Sequence, residues 1–212
     1  MRILLVLAGD PPDSDLIKTE VSHADLVIAV DGGSKVLHDN NQKPDLIIGD
    51  LDSHTAIFEE SVKIINAHDQ SFTDLEKALQ YISEKYTPTM LVLLGATGGR
   101  SDHLLNNLHI CARIDHSVEI VFRSKIVVKD VQLSETIVRI VSGANIDLPV
   151  TEGATVSVLP VTQFTGLSIK GLLWEINGVD SGKAVISQSN ISKTDTLNIV
   201  LLSGCAYIAV YQ

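Results

Sequence analysis

The sequence has few cysteines, no long apolar run and no excess of positive charge. Its 2 cysteines, Cys111 and Cys205, are too few for a multi-bridge framework and are not spaced like metal ligands. No apolar run approaches the ~20 residues that span a bilayer. The formal net charge of −10 argues against binding to nucleic-acid backbone or to anionic membranes. We therefore expect a cytoplasmic protein with buried thiols and with neither nucleic-acid nor membrane partners.

The common nucleotide-binding signatures are also absent from the sequence. It contains no Walker A loop, no Gly-x-Gly-x-x-Gly fingerprint and no kinase signature. A nucleotide would therefore be held through carboxylate-bound Mg2+ and glycine turns rather than through a P-loop lysine. The apolar residues 3–7 indicate a buried first strand rather than a signal peptide, because they run straight into Asp10 without a cleavage region.

Apolar runs alternate with helical patterns in the first 125 or so residues. Residues 73–86 and 101–113 are the clearest helices, and the first begins with a capping box of Thr73 and Glu76. This alternation predicts an α/β N-terminal domain with a mainly parallel, Rossmann-like sheet. The predicted strands are residues 3–7, 26–30, 46–48, 62–65, 91–94 and 118–122.

Short alternating segments replace this pattern further along the chain. Gly, Ser, Asn and Pro separate them, and no helix of useful length can be drawn, which predicts an all-β sandwich or barrel. We place the domains at residues 1–128 and 129–212. The predicted strands are residues 126–133, 136–141, 155–159, 167–170, 172–176, 184–188, 197–202 and 206–211.

The glycines of the first domain fall just after the carboxyl ends of apolar runs. Open parallel sheets bind ligands beyond those ends, and glycine lets backbone N–H groups approach a phosphate closely. The pattern therefore favours a phosphate-type ligand at this edge of the sheet. The seven glycines are Gly9, Gly32, Gly33, Gly49, Gly95, Gly98 and Gly99.

The segment Pro44-Asp-Leu-Ile-Ile-Gly-Asp-Leu-Asp-Ser53 carries two acids behind an apolar run. In extended backbone Asp50 and Asp52 would face the same spot, where a cation would relieve their repulsion. Mg2+ is typically held by one or two carboxylates together with substrate phosphates. On this segment alone, a solvated Asp-rich turn explains the residues better.

Three further groups can carry chemistry. Asp31-Gly32-Gly33 follows an apolar run and suits either a ligand-binding turn, with Asp31 on a metal or ribose, or a plain Asp-Gly turn. Thr73-Asp74 begins a helix, where the acid favours the helix by itself. The same helix start, with Thr73 donating and Lys77 one turn along, could also hold a phosphate.

The last group is Gly98-Gly-Arg-Ser-Asp-His103, with Asn106 one turn further. Arg100 offers bidentate donors to phosphate, and Asp102 shares a helix face with Asn106. His103 is either a general base or, more simply, an oriented or packed histidine. The combination is more specific than its glycines alone.

Taken in order, these groups resemble the thiamine pyrophosphokinase (thiamine diphosphokinase) family. Gly171-Leu-Leu-Trp174 and Ser187-Gln-Ser189-Asn190 are similar to that family's thiamine-site region. The resemblance implies pyrophosphate transfer from ATP to thiamine with Mg2+, giving AMP. It further implies a homodimer of α/β and β-sandwich subunits, with thiamine at the interface.

The resemblance also implies roles for single residues. The catalytic residues would be Asp50, Asp52, Asp74 and Asp102, the first three also holding the metal. Trp174 would be an aromatic wall for thiamine, although a core tryptophan is the alternative. The nucleotide would be bound by Asp31, Gly32, Gly33, Thr73, Lys77, Gly98, Arg100 and His103, and thiamine by Trp174, Ser187, Ser189 and Asn190.

One position departs from the family pattern. Ser71 stands where the family has an acid two residues before the Thr-Asp pair, and Asp69 is the nearest substitute. Two other functions stay open: a different Mg2+-dependent nucleotide-phosphate enzyme, such as a hydrolase, and a non-catalytic thiamine- or nucleotide-binding module.

Overall fold

The protein is described by a computed structural model that covers residues 1–10, 12–49, 62–66, 69, 71–182 and 187–212. The chain divides into two compact units. The first unit comprises Met1–Ile110 and Ser117–Ser124, and the second comprises Cys111–His116 and Lys125–Gln212. The predicted boundary at residue 128 left Cys111–His116 in the first domain, whereas these residues belong to the second compact unit. The division into two functional domains stays a prediction.

The first unit is an α/β structure in which every strand pairing is parallel. The strand order is β6-β5-β1-β2-β3-β4. Its elements, in chain order, are β1 (Arg2–Val6), α1 (Ser14–His23), β2 (Leu26–Val30), α2 (Gly33–Asp39), β3 (Leu46–Gly49), β4 (Lys63–Asn66), α3 (Asp74–Lys85), β5 (Met90–Leu94), α4 (Ser101–Ala112) and β6 (Glu119–Val128). The last residues of α4 and of β6 belong to the second unit.

The central strands are apolar throughout because both faces of the sheet are covered. In each of β1, β2 and β5, the last four residues are buried. Alternate residues of these strands, such as Leu4, Ala29 and Val92, form one core with Ile17 of α1 and Leu37 of α2. Since the strands are parallel, β1, β2 and β5 all end at the same edge, and the residues that follow them are brought together there.

The second unit consists of two antiparallel sheets. One has the order β13-β9-β15-β7, with β10 added to β15, and the other has the order β12-β11-β14-β8. The elements are β7 (Val131–Val141), β8 (Asn145–Pro149), β9 (Thr155–Leu159), β10 (Phe164–Thr165), β11 (Leu167–Lys170), β12 (Ile176–Val179), β13 (Asn190–Ile191), β14 (Thr196–Val200) and β15 (Ser203–Tyr211).

A single apolar core joins the two sheets of this unit. Val138 and Ile208 contribute to it from one sheet, and Ile169 and Leu197 from the other. Each buried aliphatic side chain of this kind stabilises the fold by roughly 1.5–3 kcal/mol. Burial alternates along β11 and β14, as the sequence pattern indicated, whereas six consecutive residues of β15 are buried.

Two predicted strands differ from the structure, and a third lies mostly outside the described residues. Residues 126–133 are not one strand, because Lys129 and Asp130 turn between β6 and β7 with φ of 49° and 64°. Val127 and Val131 flank the turn, and their apolar side chains made the segment look like one continuous strand. Both side chains are exposed. The predicted strand 172–176 is also wrong, since β12 begins at Ile176. Of the predicted strand 184–188, residues 184–186 lie outside the described part of the chain.

Both cysteines are buried free thiols, as predicted. Burial raises the pKa of Cys111 to about 12, so this group stays protonated at neutral pH. Among the helices that the structure describes, none combines the length and apolar character needed to cross a bilayer.

Candidate active site

A cleft of about 920 Å³ opens at the carboxyl ends of β1, β2 and β5 in the first unit. The beginnings of α3 and α4 complete its walls. This is the edge at which open parallel sheets bind ligands. The residues that line the cleft include Gly9, Asp10, Asp31, Phe72, Thr73, Asp74, Lys77, Gly95, Gly98, Gly99, Arg100, Asp102, His103, Asn106 and Asn107.

The floor of the cleft requires glycine at two points where backbones cross. The amide of Gly9 donates to the carbonyl oxygen of Gly95 at 2.9 Å. A Cβ on Gly9 would lie 2.2 Å from that oxygen, and a Cβ on Gly95 would lie 2.4 Å from the carbonyl oxygen of Leu7. Gly95 also has a φ of 64°, which disfavours any side chain. The chain ends of β1 and β5 can therefore meet only because neither residue has a side chain.

Asp31 lies in the cleft directly after β2. Its φ of 46° is left-handed, a conformation that Asp adopts more readily than most residues. Its carbonyl oxygen accepts hydrogen bonds from the amide and the hydroxyl of Ser34, at 3.1 and 2.9 Å, and so fixes the turn into α2. Gly32 is the N-cap of α2 and Gly33 its first residue, and neither lines the cleft.

The sequence analysis overlooked Asp10 as a site residue. Its Oδ2 accepts a hydrogen bond from the amide of Gly99 at 2.9 Å, across 89 positions of the chain. The pattern that identified Asp31 also applies to Asp10, since both acids follow a buried strand. Phe72 and Asn107 were overlooked as well, and the Asn107 amide donates to the carbonyl oxygen of Ala96 at 2.9 Å.

The start of α3 is held by its own side chains. The predicted capping box is present: the Glu76 amide donates to Thr73 Oγ1 at 3.3 Å, and Glu76 Oε2 accepts from the Thr73 amide at 3.0 Å. The Thr73 hydroxyl also donates to Glu76 Oε2 at 3.1 Å, so a phosphate would compete with the cap for this donor. One turn along, the buried Lys77 ammonium lies 3.0 Å from Asp74 Oδ1.

Arg100 and Asp102 face each other at the entrance to α4. The guanidinium donates to both carboxylate oxygens, and this hydrogen bonding lowers the pKa of Asp102 to about 2. Both side chains are well exposed. At neutral pH the Asp102 carboxylate is therefore a weak proton acceptor and is poorly suited to act as a general base. The exposed His103 and Asn106 line the cleft beside this pair.

Asp50, Asp52 and Ser53 lie outside the described residues. Asp69 is described and accepts a hydrogen bond from the Ser71 amide at 2.8 Å, which is the main cause of its lowered pKa. It is exposed and does not line the cleft. Within the described part of the chain, no group of three or more His, Cys, Asp or Glu side chains is arranged to hold a metal ion.

A second cleft, of about 530 Å³, lies in the second unit. Trp174, the only tryptophan in the chain, lines it together with Glu175 and Ser187. The side chain of Trp174 is 63% exposed, so its interpretation as a core tryptophan is wrong. An exposed indole at the rim of a cleft offers a face on which a flat or cationic ring can stack.

Two predicted thiamine-site residues support this cleft without lining it. Asn190 is fully buried; its amide donates to the Trp174 carbonyl oxygen at 2.7 Å and to Ser187 Oγ at 2.9 Å, and its Oδ1 accepts from the Trp174 amide at 3.2 Å. Ser189 has a φ of 53°, and its amide donates to Ser157 Oγ at 3.0 Å. Asn190 therefore fixes the position of Trp174 and Ser187.

The sequence is similar to known thiamine pyrophosphokinases. A family model for "Thiamin pyrophosphokinase, catalytic domain" matches residues 17–122. Thiamin pyrophosphokinase 1 of Caenorhabditis elegans is 30% identical over 177 residues, which cover 78% of this chain and 68% of the relative. Thiamine pyrophosphokinase 2 of Arabidopsis thaliana is 31% identical over 117 residues, which cover 43% of this chain and 44% of the relative. The chain spans about half the length of several such relatives.

The fold is similar to that of a solved structure as well. Thiamine pyrophosphokinase from Bacillus subtilis superposes with a TM-score of 0.77 at 21% identity, covering 99% of this chain and 98% of the other. At this level of identity the likeness concerns the fold alone.

Proposed function

We propose, since the chain belongs to the thiamine pyrophosphokinase family, that it transfers a pyrophosphoryl group from ATP to the hydroxyl of thiamine. The products are thiamine diphosphate and AMP. The observation that carries this proposal is the cleft at the carboxyl ends of β1, β2 and β5. The family's catalytic-domain model covers residues 17–122, which contain most of the residues that line it.

The reaction joins thiamine's hydroxyl oxygen to the β-phosphorus of ATP. The bond between that phosphorus and the oxygen bridging it to the α-phosphorus breaks, AMP leaves with that oxygen, and the hydroxyl proton passes to solvent or to a nearby carboxylate. Such transfers depend mainly on positioning and on compensating the phosphate charge. The protein therefore has to align two substrates rather than supply a nucleophile of its own.

The charge of the cleft supports Mg2+ as the cofactor. Among the described residues, the carboxylates of Asp10, Asp31, Asp74 and Asp102 line it, against the cations Lys77 and Arg100. An acidic cleft repels a polyphosphate unless a cation binds with it, and oxygen ligands are those that Mg2+ prefers. We propose that Asp50 and Asp52 hold the metal, with Asp74 assisting. When bound, the metal neutralises phosphate charge.

The nucleotide phosphates are assigned to the glycine turn before α4. Gly98 and Gly99 have no side chains, so a phosphate can approach the backbone of this turn closely, and Arg100 follows them directly. Arg100 and Lys77 are each held by a carboxylate, so they present oriented rather than mobile positive charge. Asp31 and His103 line the same cleft, and we assign them contacts with the nucleotide.

Thiamine is assigned to the cleft beside Trp174 and Ser187. The cationic thiazolium ring of thiamine would stack on the exposed indole, an arrangement worth about 0.5–1 kcal/mol at an exposed site and more when desolvated. We also propose a homodimer with thiamine at its interface, which sedimentation would test, since a strict monomer contradicts it. The cytoplasmic location stays a prediction from the sequence.

The test is AMP release by the purified chain with ATP and Mg2+, in the presence and absence of thiamine. We expect thiamine-dependent AMP, and a loss of about a hundredfold or more in Asp50→Asn and Asp52→Asn, as when charge-stabilising groups are removed. Asp15→Asn, on the exposed start of α1, is the control. AMP or ADP formed without thiamine would indicate a nucleotide hydrolase. Tight binding without turnover would indicate a binding module.

A further inference from the structure

We propose that Asp10 is a positioning residue that holds the Gly98–Gly99 turn in the shape that binds the nucleotide phosphates. The inference rests on the proposed function for the identity of the ligand. It concerns the described residues alone, and all of them belong to the first unit. Asp10 would act through the backbone of the turn rather than by touching the reacting atoms.

Two contacts tie Asp10 to the turn. Its Oδ2 accepts the hydrogen bond from the Gly99 amide at 2.9 Å. A Cβ on Gly98 would lie 2.5 Å from the same oxygen, so the carboxylate fills the space that a side chain at position 98 would occupy. The acid at the end of β1 and the bare backbone at position 98 are therefore complementary in shape.

The turn needs such a tie because it is made of two consecutive left-handed glycines. Gly98 and Gly99 have φ of 83° and 61°. Glycine has no side chain to restrict its backbone, so fixing it in one conformation costs more entropy than for any other residue. The bond between the Asn107 amide and the Ala96 carbonyl oxygen fixes the turn before Gly98. Asp10 fixes it after Gly98, immediately before Arg100.

Two other roles for Asp10 make different predictions. If its carboxylate merely occupied an amide that the phosphate needs, its removal would tighten ATP binding. If it were a metal ligand, Asp10→Asn would be as defective as Asp10→Ala, and excess Mg2+ would partly restore it. A positioning role requires the hydrogen-bond acceptor but not the charge, because an amide oxygen can accept the same bond.

The experiment compares Asp10→Ala, Asp10→Asn and the control Asp15→Ala. ATP binding is measured by calorimetry without thiamine and with saturating Mg2+, and steady-state kinetics are measured with thiamine. We expect Asp10→Ala to raise the Kd and KM for ATP about three- to tenfold, the scale of one exposed hydrogen bond, with kcat changed less than twofold. Asp10→Asn and Asp15→Ala should stay within about twofold of wild type. Amide exchange at Gly99 should be faster in Asp10→Ala only.

Two results with the Asp10 variants overturn the proposal. Unchanged or tighter ATP binding by Asp10→Ala does so, and so does an Asp10→Asn variant that needs more Mg2+. If Asp10→Ala does not fold, Asp10→Ser takes its place, because it too lacks the carboxylate that accepts from the Gly99 amide. If the wild type binds ATP but forms no AMP with thiamine, the proposed function is wrong. The ATP Kd values of the Asp10 variants then still test the role of Asp10. A wild type that binds no ATP removes both.

Discussion

Arg100 binds Asp102 through two hydrogen bonds, 3.0 Å from Nε to Oδ1 and 2.6 Å from Nη2 to Oδ2. The pair stands at the first turn of α4, where the carboxylate also accepts from the His103 amide at 3.1 Å. These interactions favour the charged form, and they lower the pKa of Asp102 from 3.8 to about 2. The acid therefore orients the guanidinium across the whole neutral range.

The first prediction concerns the pH dependence of activity. Because the folded pKa of Asp102 is lowered, its contribution to stability is present above pH 4 and is lost only as the pH falls through about 2. Wild type and Asp102→Asn should therefore give pH profiles of kcat/KM with the same shape between pH 5 and 8, at a lower level in the variant. An acidic limb that only the wild type shows would identify Asp102 as a catalytic base instead.

The second prediction concerns the stability of the α3 start. Asp74→Asn leaves the ammonium of Lys77, only 7% exposed, without its carboxylate. We expect the free energy of unfolding in urea to fall by roughly 1–2 kcal/mol, less than for a fully buried pair, because the Asp74 side chain is 36% exposed. The control is Asp39→Asn in the exposed Lys35–Asp39 pair, which should change nothing measurable. Equal effects of both variants would contradict this account.

The third prediction concerns the crossing of β1 and β5. Gly95→Ala places a Cβ 2.4 Å from a backbone oxygen at a left-handed φ, and the unfolding free energy should fall by roughly 2–4 kcal/mol. The control is Gly182→Ala, whose added Cβ meets nothing within 4 Å. It should stay within about 0.5 kcal/mol of wild type. A Gly95→Ala protein as stable as wild type would show that the crossing is looser than described.

The fourth prediction concerns the buried Asn190. Asn190→Ala removes the side-chain bonds that hold Trp174 and Ser187, so the unfolding free energy should fall by roughly 1–3 kcal/mol and the KM for thiamine should rise. Trp174 fluorescence reports the local change, since no other tryptophan is present. Asn177→Ala, an exposed asparagine of the same cleft, is the stability control. Unaltered thiamine kinetics in Asn190→Ala would mean that Trp174 needs no such support.

The elements that the sequence predicted best are those whose residues report burial directly. Residues 26–30 are apolar throughout because β2 is covered on both faces, and the Thr73–Glu76 capping box is local in sequence. The same rule failed at residues 126–133, where exposed valines carried the apolar pattern across a turn at Lys129. The sequence shows which residues are apolar, but it does not show whether other parts of the protein bury them.

The site was harder to predict because its contacts join distant parts of the chain. Asp10 and Gly99 are 89 positions apart, and nothing near either residue in the sequence points to the other. Asn190 belongs to a motif that was expected to contact a ligand. Its side-chain amide instead donates hydrogen bonds to Trp174 and Ser187. Residue types indicated which groups belong to the site, whereas their division into ligand contacts and supporting contacts follows from the fold.

The proposed reaction is tested most directly by phosphorus NMR of the chain with ATP, Mg2+ and thiamine. Attack at the β-phosphorus predicts that AMP and thiamine diphosphate rise together in equal amounts, with no ADP at early times. Thiamine monophosphate formed with ADP, or free phosphate formed at the same rate without thiamine, would contradict it.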